Sequence, residues 1–208
     1  MAALAGLAGR GAIAAAGPTV LVVGDSLSAE YGLKRGSGWV ALLEKRLADR
    51  KIAARVVNAS ISGDTTSGGR SRLPALLAQH KPTVLVIELG ANDALRGLPL
   101  DMTQANLAFM AQAAQKAGAR VLLVGIQVPP NYGSAYANRF AGIYAKVADQ
   151  QKVALAPFML KNVADAADPT RLFQPDRIHP KEEAHPIILD NIWPELSKLL
   201  APSKERKT

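Results

Sequence analysis

The segment Gly24-Asp-Ser-Leu-Ser28 follows directly on the apolar run Thr19–Val23, so a buried-looking stretch turns polar within two residues. Glycine permits a tight exit from a strand. A serine just beyond it is either a simple turn or cap residue, or a nucleophile aimed out of a sheet, where the start of a following helix would favour bound anions. A hydroxyl needs a base to take its proton, and the chain has three histidines. His80 precedes Lys81-Pro82 at an expected helix end, and His185 precedes Pro186 near the start of the last helical pattern. His179 differs: it lies in Pro175-Asp-Arg-Ile-His-Pro180, a polar segment pinned by prolines, with Asp176 three residues before it. One short turn would set that carboxylate against the imidazole, fixing its tautomer and stabilising the imidazolium. Ser26, His179 and Asp176 are thus candidate nucleophile, base and orienting acid.

Acyl transfer also needs donors for an oxyanion, set about 3 Å from the developing charge. Gly63 can offer a backbone N–H without a side chain in the way, Asn92 a neutral amide, and Ser26 its own N–H. The plainer readings are a left-handed turn residue at Gly63 and an Asx turn at Asn92. Asp25 and Asp93 suit local hydrogen bonding better than proton transfer. An apolar wall for the acyl group is available from Leu95, Ile126, Val128, Pro129, Tyr132 and Ile178, each of which would serve equally well in the core or a lid. Other chemistries lack their signatures. No G-x-S-x-G elbow surrounds Ser26, no phosphate-binding G-x-x-x-x-G-K-[ST] loop is present, and Gly24 does not open a G-x-G-x-x-G dinucleotide fingerprint. The absence of cysteine excludes thiolate catalysis and disulfides, and His179 with His185 finds no third ligand at zinc spacing. No metal site is expected.

Positioning these residues requires a sheet. Five runs rich in Val, Leu and Ile occur at Thr19–Val23, Ala54–Val57, Val84–Leu89, Val121–Ile126 and Val153–Leu155. Their spacing leaves room for a helical crossover each time, and the first, third and fourth are continuously apolar, as strands covered on both faces are. Helical patterns run through Trp39–Leu47, Arg72–His80, Thr103–Ala117, Ala135–Gln150 and Glu183–Leu200. The last contains Pro186 and Pro194 and should start late, kink or break. The expected fold is α/β, a three-layer α/β/α sandwich on a mainly parallel five-stranded sheet. In such a fold ligands sit beyond the carboxyl ends of the strands, which is where Ser26, Gly63 and Asn92 fall.

These blocks resemble the SGNH, or GDSL, hydrolase superfamily. Gly24-Asp-Ser-Leu-Ser28 is similar to its first block, Gly63 within Ser62-Gly-Asp-Thr65 to its second, Gly90-Ala-Asn-Asp93 to its third and Asp176-Arg-Ile-His179 to its fifth, in family order. Asn58–Thr65, Arg72–Leu77 and Pro130–Gly133 resemble the bacterial subgroup of thioesterase I/protease I/lysophospholipase L1 and arylesterases. The resemblance implies a cofactor-free serine esterase acting on aryl esters, lysophospholipids and acyl thioesters, with Ser26, His179 and Asp176 as the triad and Gly63 and Asn92 completing the oxyanion hole. It implies export to the periplasm, with the cytoplasm as the alternative. Ala91 stands where that subgroup usually has glycine, which bears on the acyl entrance rather than on the chemistry. Related families deacetylate carbohydrates with the same apparatus, and a noncatalytic lipid- or glycan-binding module is the more distant alternative.

A chain of 208 residues, 49% hydrophobic and 20% charged, suits one domain, expected over residues 18–201. Residues 1–17 read as a signal-like or flexible segment and 202–208 as a basic tail. The net charge of +8 is read as a solvated basic surface, with attraction to anionic membranes or substrates next. Small acyl ester or thioester substrates are the expected partners, with contact to a lipid surface, no nucleic acid, and a monomeric state.

Overall fold

A computed structural model describes residues 17–201; the two terminal segments singled out above lie outside the described residues apart from Gly17. Five strands, β1 (Thr19–Gly24), β2 (Arg55–Asn58), β3 (Val84–Glu88), β4 (Arg120–Val124) and β5 (Ala154–Ala156), form one sheet in the order β2-β1-β3-β4-β5. Every pairing is parallel. The chain leaves β1 toward one edge of the sheet and returns to build toward the other. A crevice therefore opens at the carboxyl ends of β1 and β3, the switch point where α/β folds place ligands.

Among the described residues six α-helices cover the sheet: α1 (Trp39–Asp49), α2 (Thr66–His80), the short α3 (Ala91–Leu95), α4 (Leu100–Lys116), α5 (Ser134–Gln151) and α6 (His185–Leu200). α1 packs with α6 on one face, while α2, α4 and α5 pack side by side on the other. Residues Val20–Val23 and Val84–Ile87 are fully buried between these layers, as their unbroken apolar runs require.

Two helices differ from the periodicity reading. α2 begins at Thr66, not Arg72, because Thr65 caps it by accepting from the Gly68 N–H. Its first turns are small residues that carry no apolar rhythm. Gly69 lies so close to β3's exit that a Cβ would stand 2.3 Å from Leu89, so the smallness serves close packing. In α6, Pro186 falls in the first turn, where no intrahelical N–H is needed, and Pro194 is accommodated inside a continuous helix. The α-helix thus starts at His185, two residues after the pattern's beginning at Glu183, and does not break in two.

Candidate active site

The polypeptide after β1 forms a turn, not a helix; the first helix begins only at Trp39. Asp25 closes that turn, its Oδ1 accepting from the Leu27 N–H at 3.0 Å while the Ala29 N–H donates to Asp25 O at 2.9 Å. Ser26 is thereby lifted to the surface of the crevice and remains half-exposed.

His179 arrives from the far end of the chain. Residues 173–180 double back into a tight hairpin, closed by an antiparallel bridge between Phe173 and Pro180 and by the Gln174 N–H donating to His179 O at 2.8 Å. Gln174 Nε2 also donates to Tyr31 O and Pro180 O, at 3.0 and 3.1 Å, tying the hairpin to the serine loop. Gly32 allows that approach, since a Cβ there would lie 2.2 Å from Gln174 Oε1.

His179 Nε2 stands 2.9 Å from Ser26 Oγ, and His179 Nδ1 stands 2.6 Å from Asp176 Oδ2. Asp176 Oδ1 accepts from the N–H groups of both Ile178 and His179 at 3.0 Å. Desolvation raises the Asp176 carboxyl, but those two N–H donors and the imidazole outweigh it and hold the group at about 2. An ionised carboxylate only accepts, so Nδ1 carries the imidazole proton and Nε2 is left to accept from the serine hydroxyl. The arrangement can therefore remove a proton from Ser26 and stabilise the charge that results. The Tyr31 ring lies against the imidazole, its centroid 4.3 Å away at a 36° tilt. The sequence gives no local signal for this contact.

The loop after β2 runs beside the serine turn. Ile61 N–H donates to Gly24 O at 3.0 Å and Asn58 Nδ2 to Ser28 O at 2.8 Å. Arg72 pairs with Asp64 at 2.8 Å and also donates to Ala59 O. Gly63 takes φ +79°, a conformation that disfavours a side chain, and Arg96 Nη2 donates to its carbonyl at 2.8 Å. Among the described residues the Gly63 N–H has no partner.

Asn92 lies in the first turn of α3, its Nδ2 donating to Asp25 Oδ2 at 3.0 Å. Asp25 is 1% exposed, and burial pushes its carboxyl up to about 6 against the pull of the Leu27 N–H, His179 and Asn92. Asp93 is fully buried and accepts from the Thr66 N–H at 2.8 Å, the Thr66 hydroxyl, and Thr103 Oγ1 at 3.2 Å, knitting α2, α3 and α4 together. Both aspartates thus make the local hydrogen bonds expected of them. Ala91 opens α3, partly buried against the core.

The six apolar candidates divide. Leu95, Tyr132 and Ile178 are exposed to 42, 36 and 48%, and Pro129 is exposed and Val128 half-buried. Ile126 is 5% exposed and belongs to the core, because Gly125 beside it is still bonded to Ala156 O and Met159 N–H along β5's exit. The contacts of two further residues escaped sequence reasoning. His185 is 2% exposed, its Nδ1 accepting from the Trp39 N–H at 3.0 Å, which caps α1 from 146 residues away. Burial lowers its pKa to about 4, so it stays neutral. Glu88, at 1% exposure, lies beneath the serine turn; a carboxyl inside an otherwise apolar strand is the signal that could have found it.

The model of the GDSL-like Lipase/Acylhydrolase family matches residues 22–187. The Esterase TesA of Pseudomonas aeruginosa is 56% identical over 186 residues, covering 89% of this chain and 91% of that protein. The Thioesterase 1/protease 1/lysophospholipase L1 of Escherichia coli K12 is 42% identical over 187 residues, covering 90% and 87%. Among solved structures, a psychrotrophic esterase EstA from Pseudoalteromonas sp., inhibited by monoethylphosphonate, superposes with a TM-score of 0.81 at 39% identity, covering 88% of this chain and 98% of that one.

Proposed function

The chain belongs to the GDSL-like lipase/acylhydrolase family and is a carboxylic ester hydrolase using a catalytic serine on acyl esters and thioesters; from that premise we propose that Ser26 is the nucleophile, His179 its general base and Asp176 the acid that orients the base. The observation that carries this reading is the relay of 2.6 Å from Asp176 to His179 and 2.9 Å from His179 to Ser26. Ser26 Oγ attacks the acyl carbon while Nε2 takes its proton, and a tetrahedral oxyanion forms. The N–H groups of Gly63 and Ser26 and the amide of Asn92 stabilise it. His179 returns the proton to the departing alcohol or thiol, leaving an acyl-serine. Water attacks that ester, giving its proton to Nε2, and the acid is released as Oγ recovers the proton.

The substrates we assign are aryl esters and lysophospholipids, with fatty acyl thioesters. Leu95, Val128, Pro129, Tyr132 and Ile178 form the acyl wall in this reading, and their exposure argues for apolar chains over carbohydrate acetates. Tyr31 and Ile61, exposed to 50 and 53% on neighbouring loops, extend the same rim and favour contact with a lipid surface. We further propose a monomer built on a single domain over residues 18–201, resident in the periplasm as the family resemblance implies.

Ser26→Ala should fold normally, lose fluorophosphonate labelling and lose about 10⁵-fold or more in kcat. Retained hydrolysis by the purified variant would overturn the assignment. Rates on p-nitrophenyl esters of rising length, palmitoyl-CoA and lysophosphatidylcholine rank the substrate classes.

A further inference from the structure

Beneath the serine turn lies a carboxyl group that this acyl transfer does not use. Glu88 closes β3 in register with Gly24. Its Oε2 accepts from Ser28 Oγ at 2.7 Å and from the Asp25 N–H at 3.3 Å. Ser28 Oγ in turn accepts from Trp39 Nε1 at 3.1 Å. Gly24 makes the room: a Cβ there would stand 2.8 Å from Glu88 Oε2.

The Glu88 and Asp25 side chains, both residues being 1% exposed, share the base of the serine turn, where Glu88 Oε2 accepts from the Asp25 N–H at 3.3 Å. Two carboxylates so placed in a dry site do not both ionise. Burial first, and then the charge of Asp25, hold Glu88 well above the usual carboxylate range. Since Oε2 already accepts twice, the retained proton belongs to the other oxygen. The remaining titratable neighbours are committed elsewhere. Tyr144 donates its hydroxyl to Leu89 O at 3.0 Å, Asp64 is paired with Arg72 at 2.8 Å, His179 faces Ser26 and Asp176, and Asp93 is satisfied by Thr66 and Thr103.

Asp25 then spends one oxygen on the Leu27 N–H and the other on Asn92 Nδ2. An amide whose nitrogen is held by a carboxylate has its orientation fixed. Inverted, it would turn its carbonyl oxygen where a donor is needed.

We propose that Glu88 is a positioning residue for the oxyanion: its proton, donated to Asp25, fixes the carboxylate that holds the Asn92 amide with its second hydrogen toward the substrate carbonyl. The assignment rests on Asn92 being an oxyanion donor, and the test separates the two.

kcat and KM for p-nitrophenyl butyrate are measured at neutral pH for E88Q, E88A, N92A and E88A/N92A. Glutamine keeps an acceptor for Ser28 and a donor for Asp25, so E88Q should stay within about 3-fold of the parent. N92A should lose about 100-fold in kcat, and E88A about 10-fold at unchanged KM. E88A/N92A should fall no lower than N92A. Infrared spectra should show a protonated-carboxyl C=O stretch in the parent that E88Q lacks, a readout that stands even if E88A misfolds. Parental kcat in N92A would overturn the underlying reading of Asn92. With N92A impaired, an additive loss in the double variant, E88Q as damaged as E88A, parental kcat in E88A, or absence of the protonated-acid band would each overturn the role of Glu88.

Discussion

Asp25 and Asp176 lie on either side of Ser26 in opposite surroundings. Asp25 belongs to a dry floor, 1% exposed, where burial pushes its carboxyl up to about 6. The Asp176 side chain stands 38% exposed on an outer hairpin, yet its carboxyl is held at about 2. Depth and charge therefore run in the expected direction, but the decisive difference is in the donors. Desolvation acts on both; two backbone N–H groups and a directly bonded imidazole overcome it at Asp176, while one N–H, the charge of His179 and one neutral amide do not at Asp25. The tasks match. A carboxylate stabilising an imidazolium must stay charged throughout turnover, whereas one orienting a neutral amide need only accept.

The largest effect that would break this comparison is kinetic. Asp176→Asn should lower kcat about 10⁴-fold by favouring the wrong imidazole tautomer, while Asp25→Asn, acting through a single oxyanion donor, should cost about 10-fold to 100-fold. Equal losses on a p-nitrophenyl ester would erase the distinction.

Next comes the acid dependence of stability. His185 is protonated below about 6.5 in the unfolded chain but only near 4 when folded, so its contribution is complete above 6.5 and lost as pH falls toward 4. That is up to about 3 kcal/mol. Asp25 works the other way: its folded pKa of about 6 exceeds the ordinary carboxyl value of 3.8, so acidification through 6 favours the fold, and Glu88 adds in the same direction. Asp25→Asn removes part of the opposition. Its Tm should therefore fall more steeply than the parent's between pH 6.5 and pH 4 in calorimetry; a shallower slope would show that the floor does not titrate as described.

Gly24→Ala presses a methyl to within 2.9 Å of Ser28 Cβ as well as on Glu88, and overpacking of this kind costs about 1–3 kcal/mol in urea unfolding. Gln174→Ala removes two hydrogen bonds from the outer hairpin and should cost about 1 kcal/mol or less. Its effect should appear mainly as faster hydrogen exchange over residues 173–180, with the floor untouched.

The same division governs what the sequence could reveal. Strands Val20–Val23 and Val84–Ile87 announce themselves because both faces are covered, and Asp176 lies one turn from His179, so a local motif contains the contact. The meeting of that hairpin with Ser26 followed only from placing strand ends on one edge. The floor was illegible for a physical reason. Glu88 is a single carboxyl at the end of an apolar run, and its partners Ser28 and Asp25 lie 60 and 63 positions away, joined through β1–β3 register that no local period encodes. His185 likewise looked like a helix-start residue, since nothing near it in the chain indicates that it caps α1.

Trp39 gives the floor an optical consequence. Its indole N–H ends on Ser28 Oγ, one hydrogen bond from the Glu88 carboxyl, whereas the second tryptophan, Trp193, lies beneath the guanidinium groups of Arg46 and Arg50 at 5.6 and 5.1 Å. One fluorophore is thus joined to the buried carboxyl below Ser26 and the other to surface cations, so the emission of a Trp193→Phe protein should report on the floor beneath the serine turn without any added label.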